Sequence, residues 1–175
     1  KKDTLVLKMI NNDVLYYQEN LKRSSKKHEV AIDGKLMMYT NDIRLDVKKS
    51  NTEYAYFIIQ KESYGRNRIK ASKNAEKIKY EYTITDNEIV FDAFFLSDLK
   101  NMFKDEEIDI TVFIPENATI YFDSSIKNFL SDVKNKENIY DKEMVDHHFK
   151  MTNTVLKCTD CIEEIKEEEK EQAII

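Results

Sequence analysis

The chain has 175 residues, enough for one domain that buries about 70% of the surface its unfolded form would expose. Hydrophobic residues make up 41% of it and aromatic residues 11%, supplied by ten Tyr and nine Phe, which excludes disorder over most of the length. The formal net charge is −5, and the closing stretch IEEIKEEEKEQAII holds six Glu against two Lys; the nearly balanced body has no basic face to neutralise phosphates, so nucleic acid is excluded as a partner.

Only two Gly and one Pro occur, so Asn and Asp must make most of the turns. No apolar run approaches the roughly 20 residues needed to cross a bilayer. The start, KKDTLVLKMI, is neither a signal peptide nor an initiator methionine and reads as a piece of something longer, whose preceding part could carry a targeting or membrane segment.

Period-two alternation begins at once, with Leu5, Leu7 and Met9 set against Val6, Lys8 and Ile10, and predicts a strand. A second strand, a polar Lys and Ser loop, and a hairpin turn at Asp33-Gly34 come next. In DIRLDVKK, Ile43, Leu45 and Val47 face one way and Arg44, Asp46 and Lys48 the other, as in a half-exposed strand. EYAYFIIQKE is apolar on both faces from Tyr54 to Ile59, which predicts a central strand covered from two sides.

The period then changes. In GRNRIKASKNAEKI, Ile69, Ala71, Ala75 and Ile78 approximate a helical stripe, giving one helix of about three turns. Ile78, Tyr80, Tyr82 and Ile84 return to alternation, Asp86-Asn87 supplies a turn, and Ile89, Phe91 and Ala93 resume it, so a second hairpin is expected. LSDLKNMFKDEE reads as a connection. In IDITVFI, Ile108, Ile110, Val112 and Ile114 alternate until Pro115 removes a ladder donor, and Ile120 and Phe122 restart the pattern. Beyond Asp123 the sequence is polar and mixed, a loop with short ordered pieces before a last strand at VLKC. Residues 1–161 are therefore expected to form a single β-rich domain, and residues 162–175 an acidic helical or disordered tail.

Cys158 and Cys161 are the only cysteines, spaced C-x-x-C. With His147 and His148 upstream they could complete a zinc tetrahedron, but adjacent histidines point apart in a strand and diverge by about 100° in a helix. Thioredoxin-like redox use would place the motif at a helix N-terminus, whereas here Glu163 and Glu164 come after it and would raise a thiol pKa. A short disulfide or a pair of reduced thiols is the favoured reading; a bridge here closes a tiny loop and stabilises little by chain entropy. Asp105, Glu106, Glu107 and Asp109 could hold a hard cation but lack the Gly turn and spacing of a calcium loop, so a solvated strand entry is favoured. Asn117 to Thr119 matches a glycosylation acceptor and reads as a turn. His28, His147 and His148 are the only candidate neutral-pH bases, and no nucleophile motif or phosphate loop accompanies them, so no catalytic residue, cofactor or metal is assigned. Tyr54, Tyr56, Tyr80 and Tyr82 could floor a groove, although at strand period they are expected to be packing partners.

In order, YTNDIRLDVKKS, ASKNAEKIKYEYTITDNEIVFDAFF, KDEEIDITVFIPENATIYFD and VLKCTDC resemble the C-terminal toast-rack domain of Bacteroidetes proteins of the phage-shock-protein C (PspC) class. The resemblance runs from about Leu5 to Cys161, and its most specific blocks are DEEIDITVFIPENATIYFD and KCTDC. It implies a mainly all-β fold of stacked β slices, short and solenoid-like, with one inserted α-helix. It further implies a soluble, non-enzymatic sensory or protein-interaction domain of a membrane-anchored envelope-stress protein in a bacterial cell membrane. The partner would be a protein or an envelope component, on a side of the membrane left open. The resemblance gives Cys158 and Cys161 a place in the pattern without a role. An adhesin-like surface domain and a C-x-x-C redox or zinc-binding module are the alternatives.

Overall fold

The computed structural model describes residues 4–10, 27–64, 67–98 and 106–161, without the side chains of residues 27, 28, 30 and 32. The predicted second strand, the polar Lys and Ser loop after it, the end of the connection after Asp98 and the acidic tail fall outside the described residues.

Twelve strands and one helix are described. The strands are β1 (Leu5–Ile10), β2 (Lys27–Ile32), β3 (Lys35–Thr40), β4 (Ile43–Lys49), β5 (Tyr56–Glu62), β6 (Tyr82–Ile84), β7 (Glu88–Asp92), β8 (Phe95–Asp98), β9 (Glu107–Ile114), β10 (Thr119–Phe122), β11 (His148–Met151) and β12 (Leu156–Cys158); the helix is α1 (Arg68–Glu76). They form a six-stranded sheet, β12-β11-β10-β1-β7-β6, and two three-stranded sheets, β4-β9-β5 and β2-β3-β8. Among the described residues the fold is all-β with a single α-helix.

The centre of the six-stranded sheet is parallel. β1 lies between β10 and β7, with Leu5 opposite Ile120, Leu7 opposite both Phe122 and Ile89, and Met9 opposite Phe91. In the facing sheet β4 is parallel to β9 and pairs Ile43 with Ile108, Leu45 with Ile110 and Val47 with Val112. A parallel bridge from Leu45 to Leu130 continues that row on its other side. The Leu45 amide donates to Phe129 O and the Ser131 amide to Leu45 O, at 2.8 and 2.9 Å.

These pairings resolve into three rungs. Strand order gives each rung one strand from each sheet: β10, β1 and β7 run side by side in one sheet and residues 129–131, β4 and β9 in the same order in the other, with β1 and β4 in the middle. Because the parallel register is unshifted, like positions stack on like, and one face of each sheet becomes an apolar column. Leu7, Leu45, Phe91, Ile108, Val112, Ile120, Phe122 and Phe149 are all fully buried in this single cluster. A domain that buries even half a dozen such side chains gains of order 10 kcal/mol from them before chain entropy is subtracted.

The hairpin turn at Asp33-Gly34 forms as expected, both residues taking positive φ (50° and 76°) as a two-residue hairpin turn requires. β2, β3 and β8 build a smaller sheet with its own cluster, in which Tyr39 stacks on Phe94 at 4.6 Å between centroids. β4 and β9 alternate as predicted, Pro115 comes directly after the last residue of β9, and Asn117 turns the chain towards β10 at φ 70°.

Four expectations are corrected. β5 is the edge of its sheet and not its centre; β9 holds the centre, and Tyr56 and Ile58 are about half exposed. Its inward residue Phe57 packs edge-to-face on Tyr82 and Phe91 of the other sheet, so both faces carry apolar residues for different reasons. The stretch before Lys100 contains a strand, β8, in place of part of the expected connection. β11 likewise lies in the stretch read as a loop.

The fourth concerns which face of the nine-residue α1 turns inward. Its Ile69 points to solvent at 70% exposure, because residues 69 and 71 lie about 200° apart on a helix. The face turned inward carries Ala71, Asn74 and Ala75, with Ile78 just past its end. Asn67 caps the helix by accepting from the Lys70 amide at 2.9 Å, and Asn74 donates to Tyr64 O.

Candidate functional site

The chemistry-bearing residues of the sequence converge at one corner of the six-stranded sheet. There β11 and β12 form an antiparallel hairpin that pairs Phe149 with Cys158 and Met151 with Leu156. Its turn is closed by Thr152, whose hydroxyl donates to Val155 O at 2.6 Å and accepts from the Thr154 and Val155 amides. Alternation along β12 sends Leu156 and Cys158 into the core and Lys157 out. After Cys158 the chain hooks back, the Thr159 amide donating to His148 O at 2.9 Å, and Cys161 returns to Cys158.

Cys158 and Cys161 are joined by a disulfide with Cα atoms 5.7 Å apart, and both are buried in the main cluster. The Cys158 amide donates to Glu137 Oε2 at 3.1 Å. The Glu-rich flank at Glu163 and Glu164 lies outside the described residues.

Asp160, inside the C-x-x-C, is the hub that the sequence reading missed. Its carboxylate accepts from the His148 amide at 3.1 Å, and it lies 3.1 Å from His147 Nδ1 and 2.8 Å from His148 Nδ1. Adjacent histidines are expected to diverge, yet both reach one carboxylate. His147 precedes β11 and comes directly after Asp146, which turns the backbone at φ 64°, so the strand rule does not govern it. Partial burial pushes the Asp160 carboxyl up, but the hydrogen bonds from His148 and His147 outweigh it and hold the group below its ordinary value. Tyr121 packs on the His148 ring at 4.7 Å and donates to Asp146 Oδ1, which fixes the outer side of the corner.

The zinc set weighed from sequence is altered by this geometry. Ligand atoms of His147, Cys158, Asp160 and Cys161 all lie within 4.8 Å of one another, so Asp160 takes the place given to His148. The available signal was the Asp between the two cysteines together with the His pair; what the sequence lacked was the hairpin that brings residues 147 and 160 together.

The other candidates are spread through the framework. Glu106 is buried beside β9, while Glu107 and Asp109 face outward and are bridged by Arg44 at 2.9 and 2.7 Å across the β4–β9 pair. Asp105 and the side chain of His28 lie outside what is described. Tyr56 stacks on Phe113 at 4.7 Å, Tyr80 donates its buried hydroxyl to Asp92 O at 2.7 Å, and Tyr82 packs on Phe57. These three are packing partners rather than a groove floor; Tyr54 is exposed. Partial burial and the neighbouring Glu81 raise the Asp92 carboxyl to about 6.

Among the described residues no helix is long and apolar enough to cross a membrane. No curated protein and no solved structure matches the sequence. A family described as "ToastRack found in some PspC" matches residues 31–164. That range takes in β3 to β12 whole and the last two residues of β2, and leaves out β1, which nevertheless fills an inner position of the six-stranded sheet. The rung strands other than β1, the Pro115 turn and the C-x-x-C corner thus sit within the matched range, and the chain belongs to the family of toast-rack domains found in some PspC proteins.

Proposed function

We propose that this domain is a non-enzymatic protein-interaction and sensory module of a membrane-anchored envelope-stress protein. The toast-rack domain of PspC proteins is not a known enzyme family, and PspC kinship is what suggests the membrane-bound parent and the stress setting. The observation that carries the interaction role is the outer side of the β4-β9-β5 sheet. There Tyr56 and Ile58 stand 40% and 48% exposed on an edge strand, beside Phe113 and the exposed Tyr54. Edge strands with outward apolar side chains accept an extended segment of a partner as an added strand: backbone pairing gives affinity, and alternate side chains give specificity. The occupant is therefore an extended segment of a partner protein.

The experiment places a photo-crosslinking residue at Ile58 or at Tyr140 in the parent protein within its own cells. Tyr140 is 78% exposed and adjoins Asp141, which caps the chain just past residues 129–131, beyond the opposite edge of the same sheet. Crosslinks to a discrete envelope protein at position 58 and not at 140, lost on Tyr56→Asp, are expected. Identical patterns at the two positions would refute the reading.

A further inference from the structure

We propose that, once its disulfide is reduced, the Cys158–Cys161 corner binds one zinc-class divalent cation through the two sulphurs, His147 and Asp160, so that bridge and metal are alternative closures of the same corner. Four donor atoms already stand together there. Asp160 Oδ1 lies 3.1 Å from His147 Nδ1 and 3.4 Å from Cys158 Sγ. In a tetrahedral zinc site with bonds of about 2.0 Å to N and O and about 2.3 Å to S, two such ligand atoms sit about 3.3 to 3.5 Å apart. Asp160 Oδ1 therefore already stands at ligand spacing from both the His147 nitrogen and the first sulphur. All four donors fall within 4.8 Å of one another, so side-chain adjustments of about an ångström and the separation of the two sulphurs are enough to close them on one ion.

The surroundings suit this use. Cys158 and Cys161 are buried and lie beneath, while Asp160 and His147 form a partly open rim that gives a cation a way in. Asp160 Oδ2 is held by His148 Nδ1 at 2.8 Å, which leaves Oδ1 facing the centre, an outer-shell orientation that metal-binding carboxylates commonly need. Four side chains of this softness, two thiolates with one imidazole and one carboxylate, suit zinc better than calcium or magnesium. A corner built around a bridge alone would need neither histidine on Asp160.

The redox step balances with a dithiol as reductant. One of its thiolates attacks a sulphur of the bridge, the mixed disulfide is resolved by its second thiol, and the products are two protein thiols and an oxidised dithiol. The cation then displaces one proton from each thiol to solvent, and His147 binds through neutral Nδ1 with its proton on Nε2. A small-molecule disulfide as oxidant reverses the step: it takes up the two electrons and two protons to leave as two thiols, the Cys158–Cys161 bond re-forms, and the cation is released.

The test uses the purified chain in its disulfide form and after reduction by a phosphine, which does not compete strongly for metal, with Co²⁺ and then Zn²⁺ as probes. One Co²⁺ per reduced chain is expected, with a thiolate-to-cobalt charge-transfer band and the d–d bands of a tetrahedral ion; Zn²⁺ bleaches both. The disulfide form should take up at least about tenfold less, and His147→Ala and Asp160→Asn should each weaken binding to the reduced chain by at least about tenfold. Equal uptake by both redox forms, uptake without the charge-transfer band, or no uptake by a reduced chain with native far-ultraviolet dichroism would each overturn the proposal. If the reduced chain loses its fold, metal-driven recovery of the native spectrum supports it and failure to recover overturns it.

Discussion

Replacing Ile110 by alanine tests the rung arrangement at its centre. Ile110 is 1% exposed, lies in the middle of β9, and is flanked by Leu45 on the parallel side and Ile59 on the antiparallel side. The change deletes three carbons, worth ~2.4 kcal/mol at about 0.8 kcal/mol per buried methylene group. A cavity term is added, and it falls at the larger end because neighbours fixed by two hydrogen-bonded ladders cannot collapse into the gap; the total expected is ~4 kcal/mol. Ile58→Ala is the control, since Ile58 is on the adjacent strand but faces outward at 48% exposure, and its loss should cost under ~1.5 kcal/mol. The assay is urea unfolding followed by far-ultraviolet dichroism, with stability differences taken from midpoint shifts at constant slope. Should Ile110→Ala leave too little folded protein, Ile110→Val should still cost about 1 kcal/mol. Equal costs at positions 58 and 110 would refute the register, because a one-residue slip of either strand exchanges the buried and exposed faces.

Asn135 is 8% exposed and spends its side chain on the backbone, donating to Val133 O and Ile139 O and accepting from the Ile139 amide at 2.7 Å. Asn135→Ala should cost ~2 to 3 kcal/mol by leaving those groups unpaired, measured by the same denaturation; a cost under ~0.5 kcal/mol would contradict the bonding. Asp92 has its carboxyl raised from 3.8 to about 6, so the folded state holds the proton more tightly than the unfolded state and stability falls as pH rises through that window. The unscreened linkage is ~3 kcal/mol, reduced by solvent to ~1 kcal/mol for a part-buried group. Asp92→Asn should therefore raise the melting temperature at pH 7 by a few degrees and flatten its pH dependence between 4 and 6, and an unchanged slope would count against the shift.

Local pattern sets much of this protein. Alternation in residues 43–49 and 107–114 dictates which side chains go inward, Asp33-Gly34 dictates a hairpin, and the Ala and Lys stretch dictates a helix. These signals are legible because each acts within a few residues. Pro115 at the end of β9 belongs to the same class.

Neighbourhood was not legible. Alternation says that a face is buried and not which strand lies alongside, so β5 reads as a central strand until β9 is seen to occupy that place. The three rungs depend on parallel pairs such as Leu5 with Ile120 and Leu45 with Ile110, contacts whose sequence separation leaves no trace in any local window. β11 escaped although the equally short β10 was read, because Phe149 and Met151 come after a long polar and mixed stretch in which no alternation leads up to them.

The same division holds at the corner. The sequence alone determined that two cysteines three residues apart could meet each other. Only the folded hairpin decided that His147, His148 and Asp160 meet them as well, because it is the pairing of β11 with β12 that carries residues far along the chain to within hydrogen-bonding distance. Side-chain chemistry is written in the chain, whereas the distances that make it a site are set by burial and backbone pairing over the whole domain.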